Sequence, residues 1–345
     1  MDRTPLTIRR FGSADCARWD AFVRAAPEGT FFHLSAWAGI LQEVFRHHTH
    51  YLLAERAGQV VGVLPLARIR SRLFGDYLSS LPFCVYGGAL GDADAVAGLE
   101  AEAERLAVEL DVQHLEYRNL RARHEDWPRQ TLYYTFRKPI LPDVDANMLA
   151  IPRKQRAMVR KGIKNGLRGE IDPTPERFFE LYSDNVLRHG TPALSQAYFA
   201  RLMETFGDDC EVLTVVDPAG RPLSSVLSFY WRDEVLPYYA GDDPAARDLA
   251  ANDFKYWDLM RRACERGCTL FDYGRSKQGT GPFSFKKNWG FEPMPLSYEY
   301  RLYKRDGVPQ NNPMNPKYRL FIAMWRRLPR RVANALGPHI VRNLG

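Results

Sequence analysis

Residues 270–293 read LFDYGRSKQGTGPFSFKKNWGFEP, and this segment decides how the rest of the chain is interpreted. Its first four residues alternate apolar and polar side chains, which predicts the end of a β-strand. Glycines at positions 274, 279 and 281 then leave the backbone without Cβ atoms. The cations of the segment are Arg275, Lys277, Lys286 and Lys287. The pattern therefore predicts a flexible, cationic loop that meets an anion, a carbonyl group or a phosphate.

The residues around this segment change from a helical period to a period of two, which predicts helices followed by a sheet. The predicted helices are 151–167, 175–188, 195–206 and 249–266. The predicted strands are 212–216, 223–230, 235–240, 269–273 and 296–303. A glycine turn at residues 218–221 joins the first two of these strands into a hairpin.

The first half of the chain repeats this order. Its predicted helices are 13–26, 34–45 and 94–110, and its predicted strands are 51–55, 60–66, 77–78, 85–86, 114–118 and 131–140. LEYRN at residues 115–119 stands where FDYGR stands at residues 271–275. Such a match of element order and position predicts an internal duplication of one αβ unit.

Proline, aspartate and asparagine cluster in LPDVDANMLAIP, residues 141–152, which indicates a boundary between the two copies. We therefore expect a first domain over residues 1–145 and a second over residues 146–312. Residues 313–345 are expected to form a basic amphipathic helix that packs back on the first domain or lies on a membrane surface. Helices mixed with hairpins in this order are typical of the α+β class.

The tandem order resembles the FemAB-like branch of the GNAT (acyl-CoA N-acyltransferase-like) superfamily. The basic segment RKQRAMVRKGIKNG, residues 153–166, and the closing segment from Phe271 to Pro293 carry this resemblance. Within that branch, the chain is most similar to the FemAB-related proteins of the exosortase/PEP-CTERM exopolysaccharide system. The resemblance implies two tandem GNAT-like domains with mixed, mainly antiparallel sheets and an interdomain cleft. It also implies acyl transfer to an amine, with an aminoacyl-tRNA donor and a cell-wall precursor acceptor in the characterised relatives.

Two positions match motifs of that family, and two features depart from it. Phe285-Lys286 matches a Phe-Lys pair at the reaction centre, and Trp37 matches an N-terminal tryptophan motif. The long coiled-coil arm of some relatives is absent from residues 151–206. The place of the CoA pyrophosphate loop holds GDDPAARDLAAND, residues 241–253, whose aspartates we expect to repel a pyrophosphate. The donor, aminoacyl-tRNA or acyl-CoA, is a substrate here, and neither a cofactor nor a metal ion is predicted.

Lys286 and His189 are the candidate catalytic residues. A fixed cation lowers the barrier of acyl transfer when it faces the oxygen that becomes negative, and we assign this role to Lys286. Lys287 beside it is assigned to substrate binding, although both lysines are also compatible with a solvated loop. His189 is a candidate general base, but at a predicted helix end it also suits the role of a cap.

The other candidate substrate-binding residues of the second half lie on the predicted strand, helix and loop that surround Lys286. They are Tyr239, Asn252, Lys255, Asp272 and Arg275. A strand tyrosine is also compatible with ordinary packing. Asp272 and Arg275 are compatible with an ion pair that orients the loop.

Seven cations fall within sixteen residues of the predicted helix 151–167 and just beyond it, with no acidic residue before Glu170. We select Arg153, Arg156 and Lys161 as substrate-binding candidates. The run suits contact with phosphates of RNA, a nucleotide-linked sugar or a lipid pyrophosphate, and it equally suits a solvated helix surface.

Composition limits the classes of protein that the chain can belong to. The formal net charge of +7 and the pI near 9.1 favour anionic partners without requiring nucleic acid. The first nineteen residues lack the apolar core of a signal peptide, and no apolar run approaches the length of a membrane span. We therefore expect a cytoplasmic protein with possible peripheral contact at the inner membrane.

The leading hypothesis is an enzyme that moves an acyl or aminoacyl group onto an amine of an exopolysaccharide or peptidoglycan-type precursor. Its expected partners are that glycan or peptide precursor and, with an aminoacyl-tRNA donor, tRNA. One alternative is a non-catalytic module that binds an anionic glycan carrier or RNA. Another is a plain acetyl-CoA-dependent N-acetyltransferase. The oligomeric state and the number of active halves stay open.

Overall fold

The structure is a computed structural model that describes residues 5–71, 74–309 and 316–344. Its strands are β1 (Thr7–Arg10), β2 (His48–Thr49), β3 (Leu52–Arg56), β4 (Gln59–Leu64), β5 (Ala67–Ser71), β6 (Gly75–Ser79), β7 (Leu90–Gly91), β8 (His114–Asn119), β9 (Arg129–Gln130), β10 (Tyr133–Pro139), β11 (Arg168–Asp172), β12 (Cys210–Val216), β13 (Pro222–Trp231), β14 (Glu234–Asp242), β15 (Leu270–Asp272), β16 (Ser276–Lys277), β17 (Pro293–Pro295) and β18 (Ser297–Leu302). Its α-helices are α1 (Cys16–Ala25), α2 (Ala36–Glu43), α3 (Ala93–Glu109), α4 (Val144–Ala150), α5 (Arg153–Lys164), α6 (Glu176–His189), α7 (Gln196–Phe206), α8 (Ala246–Leu249), α9 (Ala251–Glu265), α10 (Gly281–Asn288), α11 (Pro316–Trp325) and α12 (Arg330–Val341).

The chain divides into two compact units, each assembled from separate segments. The first unit is Met1–Thr131, Pro295–Gln310 and Arg342–Gly345, and the second is Leu132–Met294 and Asn311–Val341. These bounds differ from the continuous ranges expected from the sequence because two strands are exchanged. β10 follows the first copy in sequence but pairs with β15, whereas β18 follows the second copy but pairs with β8. Each copy therefore supplies the strand that completes the other unit's sheet.

The first unit contains two sheets, with strand orders β1-β3-β4-β7 and β2-β5-β6-β8-β18-β9. Ala57 and Gly58 join β3 to β4 with φ of 46° and 76°, the left-handed backbone that closes a tight hairpin. Asp92 caps α3 by accepting a hydrogen bond from the Ala95 N–H at 2.8 Å. The buried face of α3, with Leu99 and Leu106, then packs on the core that includes Leu52 of β3.

The second unit is built on one sheet with the order β11-β12-β13-β14-β15-β10-β16, and β17 pairs beside it with β10. Val226 of β13 shares a core cluster with Leu259 of α9, so α9 covers one face. Leu227 points to the opposite face, where its cross-strand partner Tyr239 contacts Tyr182 of α6. Helices thus cover both faces of this sheet. The described strand pairs are antiparallel except β6–β8 and β14–β15, which confirms the predicted α+β class with mainly antiparallel sheets.

Two predictions of local structure are wrong. Residues 85–86 are not a strand but lie in an irregular segment between β6 and β7. The cationic loop predicted after residue 273 contains β16 and the helix α10, which carries Lys286 and Lys287. Pro282 in the first turn of α10 is a helix-start signal, because proline fixes a helical φ where no N–H donor is needed.

The helices α11 and α12 group with the second unit, whereas Arg342–Gly345 group with the first, so the expected packing on the first domain holds for these last residues alone. The buried side chains of Trp325 and Ala333 pack against Leu187 of α6. This contact removes apolar surface from water, and it places α11 and α12 with the second copy. Residues 313–315 lie outside the described part of the chain. Within the described residues, no helix combines the length and apolar character needed to cross a membrane.

The contact of α5 with α9 depends on Gly162. A Cβ atom at Gly162 would lie 2.8 Å from the Cβ of Phe254, well inside normal contact distance. Gln155 and Val159, which precede Gly162 by about two turns and one turn, complete the buried face of α5. A glycine in mid-helix normally weakens the helix, so its presence here reflects the close approach of two helices.

We expect Gly162→Ala to lower the free energy of unfolding by about 1–2 kcal/mol. Overpacking a tight contact costs about 1–3 kcal/mol, which exceeds the gain of about 1 kcal/mol from a better helix former. Urea denaturation measures the change. Gly281→Ala is the matched control, since a Cβ atom there meets open space. Equal stability of Gly162→Ala and the wild type would contradict the tight contact.

Candidate active site

The sheet of the second unit opens into a wedge between β14 and β15. These strands run parallel and pair only at Glu234 with Leu270 and at Val235 with Phe271 among the described residues. After Val235, β14 remains paired with β13 as far as Asp242. On the other side, the residue after β15, Tyr273, donates its N–H to the carbonyl of Phe136 in β10 at 2.8 Å. The two strands therefore diverge. Beyond Val235, the wedge side of β14 has no strand partner in the described structure, and such an edge can hydrogen-bond an extended ligand.

A β-bulge and a group of aromatic rings shape the β14 side of the wedge. The register of β13 with β14 shifts between Leu227 and Ser228, which bends the strand beside Tyr238. The hydroxyl groups of Tyr239 and Tyr198 lie 3.0 Å apart. Phe199 and Tyr182 pack against the Tyr239 ring with centroids 5.3 Å and 6.2 Å away. Tyr239 is thus half-buried and held in place, at the position where the sequence predicted a substrate contact.

Lys286 determines the other side of the wedge. Its Nζ donates to the carbonyl oxygens of Tyr273, Gly274 and Arg275 at 2.7, 3.1 and 3.3 Å. The side chain is buried, and this burial lowers the pKa of Lys286 to about 7. An ammonium group has three N–H donors, so the three carbonyls use its full capacity. Lys286 therefore positions the segment after β15 instead of presenting a free cation to a substrate, which corrects the role expected from sequence.

Asp272 fixes the same segment from its start. The fully buried carboxylate accepts the Gly274 N–H at 2.7 Å on Oδ1, and its Oδ2 lies 3.2 Å from Nε of Arg137. Arg137 comes from β10, the exchanged strand. Arg275, predicted to pair with Asp272, lies over the Tyr133 ring with 4.5 Å between its Cζ atom and the centroid. Asp272 and Arg275 are thus brought together with Lys286 around one short piece of backbone.

Lys255 and Asn252 lie on α9, and only one of them is accessible. Lys255 is fully buried, and its Nζ donates to Oδ1 of Asp242 at 2.9 Å. A buried, paired lysine has no surface for a substrate, so Lys255 supports the end of β14. Asn252 is partly exposed in the first turn of α9. Beside it, Asp253 accepts the Trp289 indole N–H at 3.0 Å, and burial raises the pKa of this carboxyl.

The backbone where a CoA pyrophosphate loop would lie is already occupied by the chain's own carboxylate. Asp243 accepts the Ala245 N–H at 2.8 Å and pairs with Arg221 at 3.0 Å. Asp242 is paired with Lys255. The two aspartates are therefore not the uncompensated negative patch that the sequence suggested. Asp243 thus already engages the backbone N–H just before α8.

His189 and Trp37 lie on other elements than those that form the wedge, at the end of α6 and on α2 of the first unit. His189 is the exposed last residue of α6, and its carbonyl accepts a hydrogen bond from Arg326. Trp37 is only 1% exposed and donates its indole N–H to the Phe31 carbonyl at 3.2 Å. Trp37 is therefore a core residue of the first unit, which corrects its predicted role as a direct substrate contact.

The cations of α5 form an exposed basic surface on the second unit. Arg153, Lys154, Arg160, Lys161 and Lys164 are exposed, and Arg156 is partly exposed. Arg156 donates to the Leu149 carbonyl at 3.0 Å. Within the described residues, these six side chains have no carboxylate within ion-pair distance. Uncompensated cations on one helix suit contact with phosphates. Lys287, on α10, is also exposed.

The corresponding wedge in the first unit is closed. β6 and β8 pair in parallel at Leu78 with Leu115 and at Ser79 with Glu116, as β14 and β15 do. Here, however, the irregular segment after β6 fills the space. Arg118, buried and paired with Glu116 at 3.0 Å, donates to the Cys84 carbonyl at 2.9 Å.

Sequence reasoning missed several residues in or corresponding to the site. Arg137 and Tyr198 come from elements that only the folded chain brings to β14 and β15. Asp253 had a local signal, because it sits between two residues already selected, Asn252 and Lys255. Arg118 had one too, since it lies in the LEYRN repeat of FDYGR.

Comparison with known proteins agrees with this architecture. Residues 153–287 match the family model described as an acetyltransferase (GNAT) domain. This range begins at α5 and includes the wedge and Lys286. No curated protein matches the chain.

Solved structures match almost the whole chain at low sequence identity. FemX is 16% identical with a TM-score of 0.67, covering 92% of this chain and 100% of its own. The C-terminal domain of a putative lysylphosphatidylglycerol synthetase from Agrobacterium fabrum is 13% identical with a TM-score of 0.58, covering 85% and 92%. A tandem GNAT protein from the clavulanic acid biosynthesis pathway is 13% identical with a TM-score of 0.55, covering 86% and 98%. The chain has a tandem GNAT-like fold, as predicted.

The lowered pKa of Lys286 predicts a specific pH dependence of stability. Below about pH 7 the ammonium is present in both the folded and the unfolded chain, so its contribution is constant. Between about 7 and the ordinary value of 10.5, only the unfolded chain retains the proton. Stability contributed at this position must therefore rise with pH, by about 1.4 kcal/mol per pH unit.

The measurement is the difference in the free energy of unfolding between the wild type and Lys286→Met across this range. Subtracting the variant removes the titration of all other groups. Lys287→Met is the matched control because Lys287 is exposed on the same helix. A flat difference for Lys286→Met would show that the three carbonyls keep the lysine protonated.

Proposed function

We propose that the second unit transfers an acyl or aminoacyl group to an amine within the wedge between β14 and β15. The observation that carries this proposal is the divergence of two parallel strands beside a segment that Lys286 and Asp272 hold rigid. Beyond Val235 no described strand pairs with the wedge side of β14, and backbone groups on this side would orient an extended substrate. The GNAT domain match over residues 153–287 supports acyl-transfer chemistry at this place.

The reaction needs no covalent intermediate on the protein. The acceptor amine attacks the carbonyl carbon of the donor, the C–N bond forms, and the bond to the donor's leaving oxygen or sulfur breaks. A base takes the amine proton, and the leaving group takes a proton. Backbone N–H groups on the β14 edge suit the developing oxyanion because they are fixed before the reaction. His189 stays a candidate base, as predicted from sequence.

Lys286 contributes by position. It fixes three consecutive carbonyls, those of Tyr273, Gly274 and Arg275, on the β15 side of the wedge. A shift of this segment would displace a substrate bound against it. For Lys286 to stabilise an oxyanion, as the family resemblance implies, its ammonium group would first have to break one of its three hydrogen bonds to backbone carbonyls.

The donor that the structure favours is an aminoacyl ester of RNA rather than acyl-CoA. Asp243 occupies the backbone N–H that a pyrophosphate would need. The unpaired cations of α5 offer the phosphate contacts that a polynucleotide requires. The proposed acceptor is an amine of an exopolysaccharide or peptidoglycan-type precursor. This acceptor class and the exosortase/PEP-CTERM association rest on the sequence resemblance alone.

A non-catalytic RNA or glycan-carrier module is the second candidate, and the basic surface of α5 favours it equally. A plain acetyl-CoA-dependent N-acetyltransferase is the third. The Asp243 contact speaks against this third function.

The central test is transfer of a labelled amino acid from charged tRNA to an amine-bearing envelope precursor, followed by mass spectrometry. We expect Lys286→Met to lower the rate about 100-fold, because a displaced binding segment loses this order of magnitude. Lys287→Met should retain nearly full activity. Full activity in Lys286→Met would refute the assignment. Binding of tRNA without any product would favour the non-catalytic module, and product from acetyl-CoA instead would favour the third function.

The role of α5 predicts a change in the salt dependence of tRNA binding. Lys161→Gln should reduce the slope of log K against log salt by about 0.7–0.9 if Lys161 contacts one phosphate. Arg70→Gln is the control, as Arg70 is 81% exposed in the first unit. Filter binding at several salt concentrations gives both slopes. Equal slopes for Lys161→Gln and the wild type would remove Lys161 from the interface.

A further inference from the structure

We infer that the C-terminal helices α11 and α12 dock the second unit onto an anionic membrane surface. This inference does not depend on the proposed transfer reaction. Its first observation is the distribution of charge. Residues 311–345 contain seven Lys and Arg and no Asp or Glu, so this segment accounts for the whole net charge of +7. The other 310 residues are balanced in charge.

The second observation is exposed apolar surface on the same two helices. The large side chains that face solvent there are Leu320 (65% exposed), Phe321 (37%), Met324 (63%), Val332 (42%) and Leu336 (47%). Leu320 and Met324 are spaced i, i+4 on α11, and Val332 and Leu336 are spaced i, i+4 on α12. Each pair therefore lies on one side of its helix. Burying two such strips would recover apolar surface that the isolated chain leaves in water.

The third observation is that these helices are anchored, so their exposed sides belong to a defined surface. Trp325 and Ala333 pack on Leu187, and a Cβ atom at Gly337 would lie 2.8 Å from the Ala193 carbonyl oxygen. Arg326 donates to the His189 carbonyl at 3.3 Å. The buried sides are therefore fixed against α6 and the segment that follows it, and the opposite sides remain exposed.

Cations border the exposed apolar strips. Arg327 follows Met324 by one turn, and Arg331 precedes Val332. Both are exposed, and no carboxylate of the described residues lies within ion-pair distance of either. Arg330, by contrast, lies 3.6 Å from Glu180. Free guanidinium groups beside aliphatic side chains match a surface with anionic headgroups above hydrocarbon.

This combination distinguishes a lipid surface from other anionic partners. RNA would satisfy the arginines but would leave Leu320 and Met324 in water. A lipid interface satisfies both kinds of side chain, because the headgroups pair with cations and the acyl boundary takes aliphatic groups. On α5 one large apolar side chain, Ile163, is exposed (48%), and it has no exposed large apolar partner at i, i+4. This helix packs on α9, which covers the sheet face opposite to α6. The two basic surfaces therefore serve different ligands.

The test is co-sedimentation of the full chain with vesicles of phosphatidylcholine alone and of phosphatidylcholine mixed with phosphatidylglycerol. We expect binding to the mixed vesicles, weakened by salt, and little binding to the neutral ones. The double variant Leu320→Asp, Met324→Asp should lose about tenfold in binding, since charge at the interface opposes insertion and is repelled by anionic lipid. Arg327→Gln with Arg331→Gln should weaken binding to mixed vesicles only.

Val108→Asp is the matched control, because Val108 is also 65% exposed but lies on α3 of the first unit. It should bind as the wild type does, and all variants should keep the wild-type melting temperature. Absence of vesicle binding, or unchanged binding of the double aspartate variant, would overturn the inference. It would also be overturned if Leu320→Asp, Met324→Asp abolished self-association instead, or if the arginine variant lost RNA binding and not vesicle binding.

Discussion

The structure of the second unit depends on one limit to strand pairing: β14 and β15 share only two residue pairs before they separate. Where a parallel sheet opens in this way, the backbone groups of the two strands must be satisfied by something other than each other. The chain holds the opening in shape from both sides. Aromatic packing around Tyr239 supports the β14 side, and Lys286 with Asp272 fixes the carbonyls and the turn on the β15 side.

The first unit shows what the same scaffold does without this opening. Its β6 and β8 pair and separate in the same register, yet Arg118 and the segment after β6 fill the gap with buried hydrogen bonds. The duplication therefore yields one open wedge and one closed one. Because β10 and β18 are exchanged, neither half of the sequence contains all the strands of its own sheet. Each sheet is therefore complete only when both halves of the chain are folded.

Positive charge has three separate uses in this chain, and net charge alone does not distinguish them. Lys286 and Lys255 are buried and paired with carbonyls or a carboxylate, so they stabilise backbone positions. The α5 cations are exposed and unpaired within the described structure, and they suit a phosphate-bearing ligand. The C-terminal cations accompany exposed aliphatic groups. Burial and neighbouring atoms, not the number of lysines and arginines, decide which kind of partner each group can meet.

The amino-acid sequence alone predicted the class of fold, the duplication and the importance of residues 270–293. These follow from periodicity, glycine turns and repeated order, which are local properties. It could not assign β10 and β18 to their sheets, because strand pairing is decided by contacts between residues far apart in the chain. It also misplaced Trp37 and Lys255 as substrate contacts, since a side chain's burial is a property of its neighbours in space. Lys286 shows the division best: its motif identified it, but only the tertiary structure showed that three carbonyls hold its ammonium group.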